Sequence, residues 1–233
     1  MLNKKTMKKL GLIGGTSYHS TIDYYRMINE KVGEVIGKDQ NPELLLYSLD
    51  IALMRSGDRE KIQKEYLRIS KELISIGAEG ILICANTPHM VYEFVQPQIE
   101  VPILHIGKAI GDYAIRNNFK NLGLLGTKPT IKIGFLENYI KENYPIEITI
   151  PDEEHIDKVH HYISKELTQG VFSSEAKSYF LDQMKSLEEK GADAMILGCT
   201  ELPILIKQED TNFQLIDTTG LHVELAVEFI LGE

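Results

Sequence analysis

The chain of 233 residues has two cysteines, no apolar run near bilayer length and no excess of basic charge. Each absence removes a class of function. The two thiols, Cys84 and Cys199, sit at the ends of separate apolar runs and cannot build a disulfide framework, so a reducing cytoplasm is the expected location. Crossing a bilayer takes about 20 consecutive apolar residues, far more than any run here, so no membrane partner is expected. The leading stretch MLNKKTMKKLGLIGG meets glycines after a few apolar residues and lacks the apolar core of a secretory signal. Residues 1–6 read as an extension ahead of a first strand. A net charge of −9, with acids and bases interspersed, offers no basic face to nucleic acid. HExxH and CxxC are both missing, and the adjacent His160 and His161 point about 100° apart on a helix, so no metal site is expected. No Gly-Lys-Ser/Thr follows a glycine loop, and the G-x-G-x-x-G spacing is absent, which leaves little support for a nucleotide.

What the chain does have is alternation. Short apolar runs, LGLIG (10–14), ELLLYSLD (43–50), GILICA (80–85) and VPILHIG (101–107), are separated by amphipathic stretches at 20–37, 58–76 and 108–118. That pattern predicts an α/β fold with a parallel sheet and helices on its faces. The pattern then restarts. KNLGLLGTKPTI (120–131) repeats KKLGLIGGTSYH (8–19), and GADAMILGCT (191–200) repeats GAEGILICAN (77–86). Gly77 lies 66 residues after Gly11, and Gly191 lies 68 after Gly123, so the two halves share landmarks at nearly one spacing. QLIDTTG (214–220) answers VPILHIG, and HVELAVEFIL (222–231) reads as a closing helix. We expect two Rossmann-like halves with parallel sheets related by pseudo-two-fold symmetry. The first spans 1–110 plus 218–233, and the second 111–217.

Open parallel sheets bind ligands beyond the C-terminal ends of their strands. GGTS, CANTPH, GTKPT and GCTEL all fall at such ends, and symmetry would bring them to one cleft. In the repeat, Cys199 aligns with Ala85. Cys199 follows an apolar strand and precedes Thr200 and Glu201, where backbone N–H groups and a helix dipole are expected to favour a thiolate. Side chains alternate along a strand, so if residue 85 faces the cleft, Cys84 points into packing. Asn86, Thr87, Thr200 and Glu201, together with Thr16, Ser17, Thr127 and Thr130, supply amides, hydroxyls and N–H groups suited to holding a carboxylate. The same residues also suit helix caps. Arg55, after the second strand, either forks a substrate carboxylate or is a solvated surface residue. His89 and His105 lie near strand ends, where a ligand contact is one reading.

Taken together, LGLIGGTSYHSTIDYYRMIN, ICANTPH, LGLLGT, KELTQG and LGCTELP resemble the aspartate/glutamate racemase family, over nearly the whole chain from Met7 to Leu231. The resemblance implies a homodimer of two Rossmann-like halves, a cleft between the halves, and an acidic amino acid as substrate. It also implies proton transfer at Cα by residues at positions 85 and 199, acting on opposite faces without pyridoxal phosphate or any other cofactor. Two features depart from the family pattern. Position 85 usually holds cysteine or threonine, and alanine cannot carry a proton. Thr168 stands where some aspartate racemases have lysine. Ala85 has three readings: an introduced replacement in a natural racemase; a role passed to water, Thr87 or His89; or one-sided chemistry, as in arylmalonate decarboxylases, which resemble the family and keep the second cysteine. A decarboxylase, a cis–trans isomerase and a silent dicarboxylate-binding protein are the rival functions.

Overall fold

The structure is a computed structural model that describes residues 7–232; the extension read at residues 1–6 lies outside the described residues. The chain divides into two compact units. One runs up to His105 and resumes at His222, and the other is Ile106–Leu221.

In the first unit, β1 (Leu10–Gly14) is buried along its whole length, as a central strand covered on both faces must be. Helix α1 (Tyr18–Ile36) follows it, and β2 (Leu44–Ser48) pairs parallel to β1 from Leu10 opposite Leu44. A single turn, α2 (Ala52–Arg55), precedes α3 (Arg59–Ser75). Asp58 starts α3 by accepting the Lys61 N–H, and Ile62, Tyr66, Ile69 and Leu73 form its buried stripe at helical spacing. β3 (Gly80–Ile83) pairs with β1 on the side away from β2. A 3₁₀ segment (Thr87–Val91) and α4 (Tyr92–Val95) then lead to β4.

The strand β4 (Ile103–Leu104) is only two residues long, shorter than the apolar run that announced it. Gln96 covers its outer edge. Its side chain accepts the Ile103 N–H at 2.6 Å and donates to the Val101 carbonyl at 3.1 Å, which occupies groups that a further strand would otherwise use.

The second unit opens with α5 (Ile106–Arg116) and builds β5 (Asn121–Leu125), α6 (Lys128–Ile133), α7 (Phe135–Asn143), β6 (Glu147–Thr149), α8 (Glu153–His161), α9 (Ser174–Glu189), β7 (Ala194–Leu197), α10 (Leu202–Leu205) and β8 (Gln214–Asp217). Helix α11 (Thr218–Leu231) closes the chain. Strand orders are β2-β1-β3-β4 and β6-β5-β7-β8, all parallel, so each unit carries a four-stranded sheet of the same topology. Both cores are aliphatic. Phe180 and Met184 of α9 pack under Met195 and Leu197 in the second unit, and Tyr66 and Ile69 of α3 under Ile13 and Ile83 in the first.

Candidate active site

The register places the two repeats residue by residue. In the first sheet, Cys84 donates its N–H to the Ile13 carbonyl at 2.9 Å; in the second, Gly198 donates to Leu125 at 2.7 Å. Ile13 pairs with Ile83, and Leu125 with Leu197. Ala85 and Cys199 therefore each stand two residues beyond a matched pair, at the carboxyl ends of β3 and β7.

Around Ala85, the first unit presents small polar groups on a constrained backbone. Gly15 adopts φ 92°, and a Cβ there would lie 2.1 Å from the Leu49 carbonyl oxygen, so the turn after β1 accepts only glycine. The Gly15 N–H is bound by Thr21 Oγ1 at 3.0 Å. Thr16 is half-buried, its hydroxyl 3.1 Å from that of Tyr66. Burial pushes the Tyr66 phenol up, so it stays neutral. Ser17 caps α1, accepting the Ser20 N–H. Cys84 is 1% exposed, and burial drives its thiol up, which makes it packing rather than chemistry. Its carbonyl takes the Ser20 hydroxyl at 2.8 Å. Ala85 and Thr87 are half-buried, and Asn86 is buried. Arg55 ends α2 in an exposed position, and no ion pair engages it among the described residues.

In the second unit, Thr127 caps α6; its hydroxyl accepts the Thr130 N–H at 3.4 Å and lies 3.0 Å from the Thr130 hydroxyl. Cys199 is half-buried at the end of β7, with Sγ donating to Glu201 Oε2 at 2.8 Å. Thr200 donates to the same oxygen at 3.0 Å. Burial first, and then the adjacent Glu201 charge and hydrogen bond, hold the thiol well above its ordinary range. This corrects the sequence expectation of a thiolate. The Thr200 and Glu201 backbone groups do favour the anion, but they are outweighed, and α10 is a four-residue helix with little dipole to offer. Cys199 rests as a thiol hydrogen-bonded to a carboxylate. Thr168 sits exposed after an irregular turn, its hydroxyl bonded to the Ser164 carbonyl.

Sequence reasoning missed two features. The Cys199–Glu201 contact joins near neighbours, but nothing in the order of residues announces the hydrogen bond. The other is a buried cluster of His89, His105 and His222, brought together from positions too far apart for any local pattern to show. His89 is 1% exposed, and its Nδ1 is committed to the Asn86 carbonyl at 3.1 Å. Among the described residues no group of His, Cys, Asp and Glu is arranged to hold a metal ion.

Comparisons with known proteins identify a family and relatives. The family described as Asp/Glu/Hydantoin racemase matches residues 13–226. A glutamate racemase of Limosilactobacillus reuteri is 27% identical over 75% of this chain, which spans 66% of that relative's length. A broad-specificity amino-acid racemase, RacX of Bacillus subtilis, is 22% identical over 96% of this chain and 98% of its own. Among solved structures, an aspartate racemase homologue from Pyrococcus horikoshii superposes with a TM-score of 0.84 at 32% identity, covering 97% of this chain and all of that one. With the family pattern matched from β1 into α11, this chain belongs to the Asp/Glu/hydantoin racemase family.

Proposed function

We propose that the chain is a racemase of aspartate, glutamate or both, working without pyridoxal phosphate by proton transfer at Cα through the Cys199 thiol. Ala85 occupies the seat of the partner acid/base. The observation that carries this reading is the Cys199–Glu201 hydrogen bond at the position equivalent to Ala85. Inverting an amino acid means removing the α-proton on one face and delivering one to the other. Both steps need a positioned acid or base, and the developing carbanion needs its charge stabilised. Cys199, protonated at rest, is set to donate to Cα. In the reverse direction the thiolate form of Cys199 removes the α-proton. Asn86, Thr87, Thr16, Thr127, Thr130 and Thr200 are assigned to the substrate's carboxylates by their hydroxyls, amide and N–H groups, with Ser17 acting through the cap it forms and Arg55 as the available cation. The missing acid at position 85 passes to a water or to the Thr87 hydroxyl.

Ala85 itself favours a second reading. A methyl cannot carry a proton, so one-sided chemistry follows if nothing replaces it: exchange of the α-proton with retention, or a decarboxylase or isomerase on the same frame. Incubating L-aspartate and L-glutamate with the protein in deuterated water separates the readings. Racemisation with deuterium at Cα supports the first, deuterium with retained configuration supports the second, and no exchange removes both in favour of a dicarboxylate-binding protein. Ala85→Thr is expected to raise racemisation at least about tenfold, the size of effect a positioned acid or base supplies. We further propose a cytoplasmic homodimer; Tyr18, Ile22 and Tyr25 form an exposed apolar stripe on α1 that a second copy would cover, which size-exclusion with light scattering tests.

A further inference from the structure

We propose that His89 is a positioning residue for the Ala85–Thr87 loop, its imidazole clamping the Asn86 carbonyl from within a buried cluster of rings. The substrate side of this idea rests on the racemase reading above; the geometric side does not. Asn86 begins the 3₁₀ segment with no side-chain cap. Its carbonyl instead receives two donors from one residue, the His89 backbone N–H at 3.1 Å and His89 Nδ1 at 3.1 Å. A carbonyl only accepts, so Nδ1 carries the hydrogen and His89 is the Nδ1–H tautomer.

The cluster keeps that ring in place. His105 packs edge-on at 4.8 Å and His222 at 5.3 Å between ring centroids. His222 is fixed in turn: Nε2 donates to the Leu104 carbonyl at 2.6 Å, which leaves Nδ1 to accept from the Tyr24 hydroxyl at 2.9 Å. Tyr92 closes over His105 at 4.7 Å. Rings from α1, the 3₁₀ segment, α4, the end of β4 and α11 thus converge beneath one peptide. The groups acting on His89 are these two imidazoles and the carbonyls of Ala85, Asn86 and Leu104, and burial holds it neutral. A leucine would fill the space without burying polar nitrogens. What the imidazole adds is a rigid donor aimed at the peptide that carries the Asn86 amide and precedes Thr87.

His89→Asn, His89→Gln and His89→Leu test this. Asparagine places an N–H where Nδ1 was, whereas glutamine places it at the Nε2 end and leucine removes it. The readouts are amide hydrogen exchange at residues 85–87, and KM and kcat for racemisation. Losing the imidazole leaves the buried Asn86 carbonyl with the residue-89 backbone N–H as its donor and the loop without its side-chain clamp, so His89→Gln and His89→Leu are expected to exchange about tenfold faster there and to raise KM about tenfold with kcat nearly unchanged. His89→Asn is expected to stay within about threefold of the parent on both. Equal losses in all three variants would make His89 a packing residue, and unchanged exchange in Gln and Leu would remove the clamp; either overturns the proposal. If His89→Leu does not fold, the Asn–Gln contrast decides. If the parent turns over neither amino acid, the racemase reading falls and loop exchange alone decides this one.

Discussion

Acidifying the protein should unfold it through the imidazole cluster before its carboxylates matter. His89 is held down to a pKa of about 4 by burial, against about 6.5 in the unfolded chain. The unfolded state therefore binds a proton that the folded state refuses, and stability is present above pH 6.5 and lost as the pH falls toward 4. A tenfold difference in proton affinity is worth about 1.4 kcal/mol, so His89 alone accounts for a loss of about 3 kcal/mol over that window. His105 and His222 are displaced in the same direction, also chiefly by burial, and each steepens the slope. A loss of this size is a large fraction of the roughly 5–15 kcal/mol that stabilises a typical domain. The carboxylates with lowered values, such as Asp152 and Asp210, lose their contribution only below their ordinary value of 3.8 and act later. The assay is urea unfolding at pH 7.5, 6.5, 5.5 and 4.5, read by exchange of the β1 and β3 amides, with histidine titration followed by NMR. Approaching three protons taken up on unfolding near pH 5.5 is the expected result. A flat stability between pH 7 and 5, or a His89 ring that titrates near 6.5, would refute the reasoning.

Two further outcomes follow from local geometry. Gly15→Ala combines a positive φ with a Cβ driven against the Leu49 carbonyl, and should cost more than about 3 kcal/mol in urea unfolding; a cost below about 1 would contradict the turn described. Glu201→Gln removes the charge that helps hold Cys199 protonated, so iodoacetamide should label Cys199 severalfold faster at pH 7.5 while Cys84 stays unlabelled. An unchanged or slower rate would contradict the role given to Glu201.

Much of the fold was legible because parallel strands buried on both faces appear as unbroken apolar runs. LGLIG became β1, the segment 58–76 became α3 with its Asp58 cap, and the GAEG/GADA repeat became equivalent register in two sheets of one topology. β6 was not legible, since Glu147–Thr149 is three residues long with one buried side chain, too little for a period to emerge. β4 pairs over two residues only, and nothing in the apolar run 101–107 announces how little of it joins the sheet. At the site, the place of Cys199 could be read from its strand but its charge state could not. A thiolate looked favoured by what lies along the chain, and the balance was set by burial and by a carboxylate folded back onto sulfur. Long-range partners such as Tyr66 under Thr16, and His222 beside His89, depend on packing that no nearby residue encodes.

The most direct test is the rate of Cα deuterium incorporation into L-aspartate and L-glutamate by the parent and by Cys199→Ser. The account predicts exchange by the parent and its loss, by a factor of at least about a hundred, when the thiol becomes a hydroxyl. Exchange that persists in Cys199→Ser at the parent rate would contradict the assignment of this sulfur to the proton.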